Sequence, residues 1–99
     1  MAIFAVTFRI HEDANYDDRY QSLVKQIESE SVSSTWDEPT SFVLVESKKN
    51  SQELCDALYY GSSILESKDM LLVVNLSKKG YAQKGSKYPN TLDAFMQKR

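Results

Sequence analysis

One imidazole and four carboxylates fall within eight residues of this chain, as His11, Glu12, Asp13, Asp17 and Asp18. Oxygen-rich sets of this kind suit Mg²⁺ or Mn²⁺, and an imidazole beside them could act as a general acid or base. The spacing matches no metal-ligand motif, however. Asp17 and Asp18 at the start of a helix are also what the positive end of a helix dipole favours without any ligand. The simpler reading is a solvated acidic loop with no cofactor, and His11, Asp13 and Asp17 form the weaker, metal-binding alternative. His11 is the only histidine, so imidazole chemistry would fall to it alone. Cys55, the only cysteine, has no histidine beside it and reads as a small core residue; Ser41 and Ser47 have no recognisable base. Gly80 and Gly85 lack the Gly-Lys-Ser/Thr ending of a phosphate loop.

A second candidate set is cationic. Residues 1 to 77 carry thirteen Asp/Glu against six Lys/Arg, whereas residues 78 to 99 carry six Lys/Arg against Asp93 alone. An acidic body with a basic tail points to a nucleic-acid or acidic partner, or to a tail that lies on the body of its own or a second subunit. Lys78, Lys79, Lys84 and Lys87 could contact phosphates while Tyr81 and Tyr88 stack on bases. The simpler reading is that the tyrosines anchor the tail at a subunit interface while the lysines stay in water. Arg9, at the end of the first apolar run, could pair with a carboxylate across a dimer seam or clamp a phosphate there.

These residues must be held by elements that hydropathy patterning marks out. In AIFAVTFRI (residues 2–10), Phe4, Val6, Phe8 and Ile10 alternate with Ile3, Ala5 and Thr7, which predicts a central strand with Arg9 on its second face. Tyr16, Tyr20, Leu23, Val24 and Ile27 form a helical stripe, with Asn15 as its expected N-cap. Ser34 to Trp36 suits a short strand, and Ser41 to Glu46 a strand buried on both faces and therefore central. Asn50 and Glu53 open a second helix with a capping-box pattern, and Leu54, Leu58, Gly61, Ile64 and Leu65 give its apolar side, with Gly61, Ser62 and Ser63 weakening its end so that the last turn is expected to be irregular or a loop. MLLVVNL (residues 70–76) is apolar at nearly every position. A short helix, Thr91 to Lys98, closes the chain, with Asn90 as N-cap and Leu92, Phe95 and Met96 as its anchor.

The order strand, helix, strand, strand, helix, strand is the ferredoxin-like split βαβ pattern. The expectation is an α+β domain over residues 1–99: a core over 1–77 with an antiparallel sheet and two helices on one face, then a basic tail over 78–99 ending in a short helix. In that topology the last core strand is an edge, yet here it is greasy all round, which a second subunit would explain. No apolar run approaches the roughly 20 residues that span a bilayer. A lone cysteine excludes an internal disulfide, in keeping with a reducing cytoplasm.

AIFAVTFRI, Trp36 with the following DEPT and SFVLVES, and DMLLVVNL before a basic tail resemble the small SinR-like bacterial and phage proteins. These in turn are similar in fold to the CRISPR spacer-acquisition small subunit and to virulence-associated protein D. The resemblance implies a ferredoxin-like homodimer whose sheets face one another, with a C-terminal segment reaching across to the partner. In nuclease-like members an Asp at the end of the first strand is proposed to bind a metal ion. The matching position here is Arg9, and a guanidinium cannot coordinate Mg²⁺. The expected function is therefore a non-catalytic dimeric interaction module, of phage or mobile-element origin, that binds protein or nucleic acid. The alternative is a metal-dependent endoribonuclease using the His11 to Asp18 loop.

Overall fold

In the computed structural model of the chain, which describes residues 1–99, seven elements follow one another. They are β1 (Ala2–Arg9), α1 (Tyr16–Glu30), β2 (Phe42–Ser47), α2 (Ser51–Tyr60), β3 (Met70–Asn75), β4 (Tyr81–Lys84) and α3 (Pro89–Gln97). The strands form one antiparallel sheet in the order β2-β1-β3-β4, so the fold is α+β and ferredoxin-like with a C-terminal helix. β1 is central, as its alternation requires: Val6 pairs with Val43 on one side and Val73 on the other. Its Phe4, Val6 and Phe8 side chains are buried beneath α1 and α2, against Leu23, Ile27, Leu54 and Leu58. Each such side chain contributes about 1.5–3 kcal/mol on leaving water. Cys55 lies in the same core, fully buried.

The capping box of α2 forms as the sequence implies. Asn50 Oδ1 accepts the Glu53 backbone N–H at 2.8 Å, and Glu53 Oε1 accepts the Asn50 N–H at 2.9 Å. Other local expectations are corrected by tertiary contacts. Asn15 precedes α1 but makes no side-chain cap bond; its backbone N–H instead donates to the Asp13 carboxylate. α2, by contrast, ends at Tyr60 with Gly61 as its cap, as the weakening run Gly61 to Ser63 implies, and Ile64 reaches the core from the loop that follows. α3 begins at Pro89 rather than Thr91, because a proline at the first helical position has no N–H to leave unpaired and its φ is already helical. None of its residues is buried; its expected anchor Phe95 is 66% exposed.

Two corrections change the shape of the sheet. The Ser34–Trp36 strand shrinks to a single bridge in which Trp36 and Leu44 exchange backbone hydrogen bonds, and Pro39, lacking a donor, lies in the turn that follows. β2 is consequently an edge strand with little beyond it rather than a central one. β3, conversely, is not the edge, because the tail folds back as β4 and pairs with it from Leu71 to Val74. Asn75 sets this turn: its Oδ1 accepts the backbone N–H groups of Ser77 and Lys78 at 2.8 and 2.9 Å. No helix is long and apolar enough to cross a membrane.

Candidate functional site

The strongest polar cluster sits where β1 runs into α1, and its centre is a pair that the sequence reading passed over. Arg19, one turn into α1, is only 4% exposed, and Asp69, just before β3, only 1%. Arg19 Nε donates to Asp69 Oδ2 at 3.0 Å, one terminal nitrogen to Asp13 Oδ1 at 3.0 Å, and the other to the His11 carbonyl at 2.8 Å. Asp69 also accepts the backbone N–H groups of His11 and Leu65, both at 2.9 Å. Lys68 Nζ reaches the second oxygen of Asp13 at 3.2 Å. Every buried charge here is paired and hydrogen-bonded, which makes the cluster a clasp joining the β1–α1 loop, α1 and the α2–β3 loop. The only sequence signal for it was one arginine near the start of a helix whose apolar stripe it adjoins.

The clasp engages one carboxylate of the acidic loop and leaves the others in solvent. Both oxygens of Asp13 are occupied by Arg19, Lys68 and the Asn15 N–H. The Arg19 hydrogen bond, assisted by Asn15 and Lys68 against the cost of burial, lowers its carboxyl from 3.8 to about 2. Asp13 in turn raises the Arg19 pKa. His11, Glu12, Asp17 and Asp18 are exposed, and no three His, Cys, Asp or Glu side chains stand close enough to hold a metal ion. Burial pushes the Cys55 thiol up to about 11, away from the thiolate form that nucleophilic chemistry uses.

A depressed carboxyl contributes stability above its unfolded pKa and loses that contribution as pH falls through the folded one. The melting temperature is therefore expected to drop as pH falls from about 4 to about 2. Asp13→Asn should melt lower than wild type at pH 7 and lose less over that acid interval. Parallel acid slopes in the two proteins, followed by circular dichroism, would count against the clasp.

The cationic tail residues do not converge. Lys84 turns towards α2, where Nζ lies 3.9 Å from Asp56 and over the rings of Tyr59 and Tyr60 at 5.3 and 5.6 Å. Lys87 and Tyr88 are exposed beyond it. The Tyr81 hydroxyl donates to Asp93 of α3 at 2.7 Å, which raises the pKa of the phenol. Lys78 and Lys79 occupy the β3–β4 turn at the opposite end of the strands. There they meet Lys48, Lys49 and Arg99, none of which was singled out by the sequence reading. Antiparallel topology was the signal for the lysines, since the end of β2 and the end of β3 must both lie beside the start of β1.

The face of the sheet turned away from α1 and α2 is largely apolar and half-buried, and α3 borders it at Tyr81 of β4, the partner of Val74. Strand alternation puts Ile3, Ala5, Thr7 and Arg9 of β1, Phe42, Leu44 and Glu46 of β2, and Met70, Leu72 and Val74 of β3 on this face. Trp36 stands edge-on to Phe42 at 6.3 Å between ring centres. With Ile3 and Leu44 it lines a shallow hollow of about 320 Å³. Ile3 is 39% exposed and Trp36 46%. The two charges on the face sit at opposite ends: Arg9 at the end of β1, and Glu46 opposite Ile3 near its start. Neither side chain forms an ion pair. No protein-family model matches the chain, and neither does any curated protein or solved structure.

Proposed function

We propose that the chain is a non-catalytic interaction module that pairs with a second copy across its apolar sheet face and presents its charged ends to a protein or nucleic-acid partner. The observation that carries this reading is the outward side of β3. An antiparallel strand with one wet face alternates polar with apolar residues, but Met70, Leu72 and Val74 are apolar throughout and only half-buried, with α1 and α2 on the other side of the sheet and α3 touching this side at Tyr81. An apolar patch of this kind marks an interaction site.

Its charges suit self-association. Six residues of β1, about 20 Å at the rise of a strand, separate Arg9 from Ile3 and its neighbour Glu46. A twofold axis lying between two stacked sheets, perpendicular to their strands, reverses strand direction while keeping β1 over β1. Arg9 of each copy then faces Glu46 of the other, and the contact is made twice, as an isologous interface requires. A non-catalytic role is favoured by the guanidinium at the strand end, the occupied carboxylate of Asp13 and the burial of Cys55.

Size-exclusion chromatography with light scattering tests the pairing. Wild type is expected to elute as a dimer and Leu72→Asp as a folded monomer, because a carboxylate at the seam has no partner. Arg9→Glu should weaken the dimer about tenfold or more by opposing Glu46, and Arg9→Glu combined with Glu46→Arg should restore it. A monomeric wild type at micromolar concentration would rule the pairing out.

A further inference from the structure

Three shallow hollows adjoin one another around the β3–β4 turn. The first, about 320 Å³, is lined by Lys48, Lys49, Asn50 and Lys78; the second, about 400 Å³, by Ser77, Lys78, Lys79 and Arg99; the third, about 320 Å³, by Lys79, Tyr81 and Arg99. Shared residues join them into one trough: Lys78 and Ser77 line the first and second, Lys79 and Arg99 the second and third. Five cations line it against one carboxylate, Glu53, whose Oε1 accepts the Asn50 N–H in the capping box. Lys49 is paired with Glu30 at 3.0 Å, whereas Lys48, Lys78, Lys79 and Arg99 have no ionic partner. In a chain of net charge −2, four unpaired cations along one trough are a local feature and not an expression of overall charge.

Three neutral groups of the first and second hollows have the same polarity, whereas Tyr81 and Gln97 of the third donate to Asp93. Ser77 Oγ accepts the Ile3 N–H, Asn75 Oδ1 accepts from Ser77 and Lys78, and Asn50 Oδ1 accepts from Glu53. Their acceptor atoms are used, and the Ser77 hydroxyl proton and both amide NH₂ groups are left to donate. A lining of cations and spare donors calls for a ligand that presents only acceptors, repeated along its length. Its apolar side chains, Met1 and Ala2 in the first hollow, Leu76 in the second and Met96 in the third, are spread along it and form no single pocket to anchor an acidic peptide, while the Tyr81 ring at its far end offers a surface for a base.

We propose that this trough binds the sugar–phosphate backbone of single-stranded nucleic acid, which rests on the interaction-module reading and names its partner and its site. Lys84 and Lys87, at the other end of the strands, take no part. The test is fluorescence anisotropy of a labelled single-stranded oligonucleotide against the whole chain, with folding of each variant checked by circular dichroism. Four phosphates neutralised predict a loss of affinity of about 50-fold between 50 and 200 mM salt. Lys48→Gln with Lys78→Gln should weaken binding about tenfold or more and reduce the salt slope, while Lys84→Gln with Lys87→Gln should leave both unchanged. Absence of binding at 50 mM salt, equal loss in the two double variants, or displacement by polyglutamate as readily as by unlabelled oligonucleotide would each overturn the proposal. Light scattering on the same samples separates it from the pairing: a dimer that ignores the oligonucleotide removes the trough alone, and a monomer that binds it removes the pairing alone.

Discussion

Asp69→Ala is expected to lower the melting temperature by more than about 12 °C, a larger loss than any surface substitution should cause. The carboxylate accepts from Arg19, His11 and Leu65 at once, and its residue is 1% exposed. Removing it leaves a guanidinium at the edge of the core without its charge partner and two backbone N–H groups without acceptors. Asp69→Asn should be nearly as damaging, because an amide of the same shape keeps one oxygen but aims an NH₂ group at donors. Arg19→Met in the Asp69→Ala background should recover only part of the loss: the unpaired charge is gone, but the orphaned N–H groups remain and Asp13 loses its partner. Thermal melts of these variants at pH 7 decide the matter. An unchanged melting temperature for Asp69→Ala would show that water replaces the carboxylate without cost and that the clasp is ornamental.

Gly85→Ala is expected to be comparably severe, at roughly 3 kcal/mol or more, for an unrelated reason. Gly85 ends the tail's return along the sheet with φ at 76°, in the left-handed region where a side chain is strained. A Cβ at this position would lie 2.0 Å from the carbonyl oxygen of Asp69 and 2.9 Å from that of Glu66. Both obstacles are backbone, so no side chain can turn aside to make room. Gly80→Ala is the matching control, since its Cβ would meet the Ser51 hydroxyl at 3.0 Å and that group can shift. Urea titration of the two variants should show a large loss of midpoint for the first and a change within about 1 kcal/mol for the second. Equal midpoints would mean that the loop after β4 relaxes freely.

Much of the architecture was legible from periodicity. Alternation in Ala2–Ile10 identified the central strand and which of its faces is buried, and the Tyr16–Ile27 stripe identified the face of α1 that covers it. The Asn50 and Glu53 pair marked the start of α2 because a capping box is a purely local arrangement. Misreadings fell where local preference yields to pairing between distant segments. Trp36 suits a strand, but the backbone around it finds only Leu44 as a partner. The tail looked like a charged extension, yet Tyr81–Lys84 is short enough for β3 to capture it as a strand. The greasiness of MLLVVNL was ascribed to a second subunit packing on the sheet or pairing with it; the chain's own β4 supplies the in-plane neighbour, and the apolar face turned away from α1 and α2 is what remains for a second copy.

The first candidate set shows the same division. The types and spacing of His11, Glu12, Asp13, Asp17 and Asp18 were visible, and so was the lack of a ligand motif, but not the arginine that claims Asp13 or the aspartate 50 residues further on that holds the arginine. Likewise the four tail lysines look like one basic patch in sequence, whereas the fold sends Lys84 to α2 and brings Lys48 to Lys78. By itself the sequence determined which apolar side chains of β1, α1 and α2 point inward, because a strand or helix repeats over a few residues and its apolar period is written locally. Tertiary structure alone decided which charges neutralise one another and which stay free, because a Coulombic or hydrogen-bonded pair depends on a separation of about 3–4 Å in space that no spacing along the chain encodes.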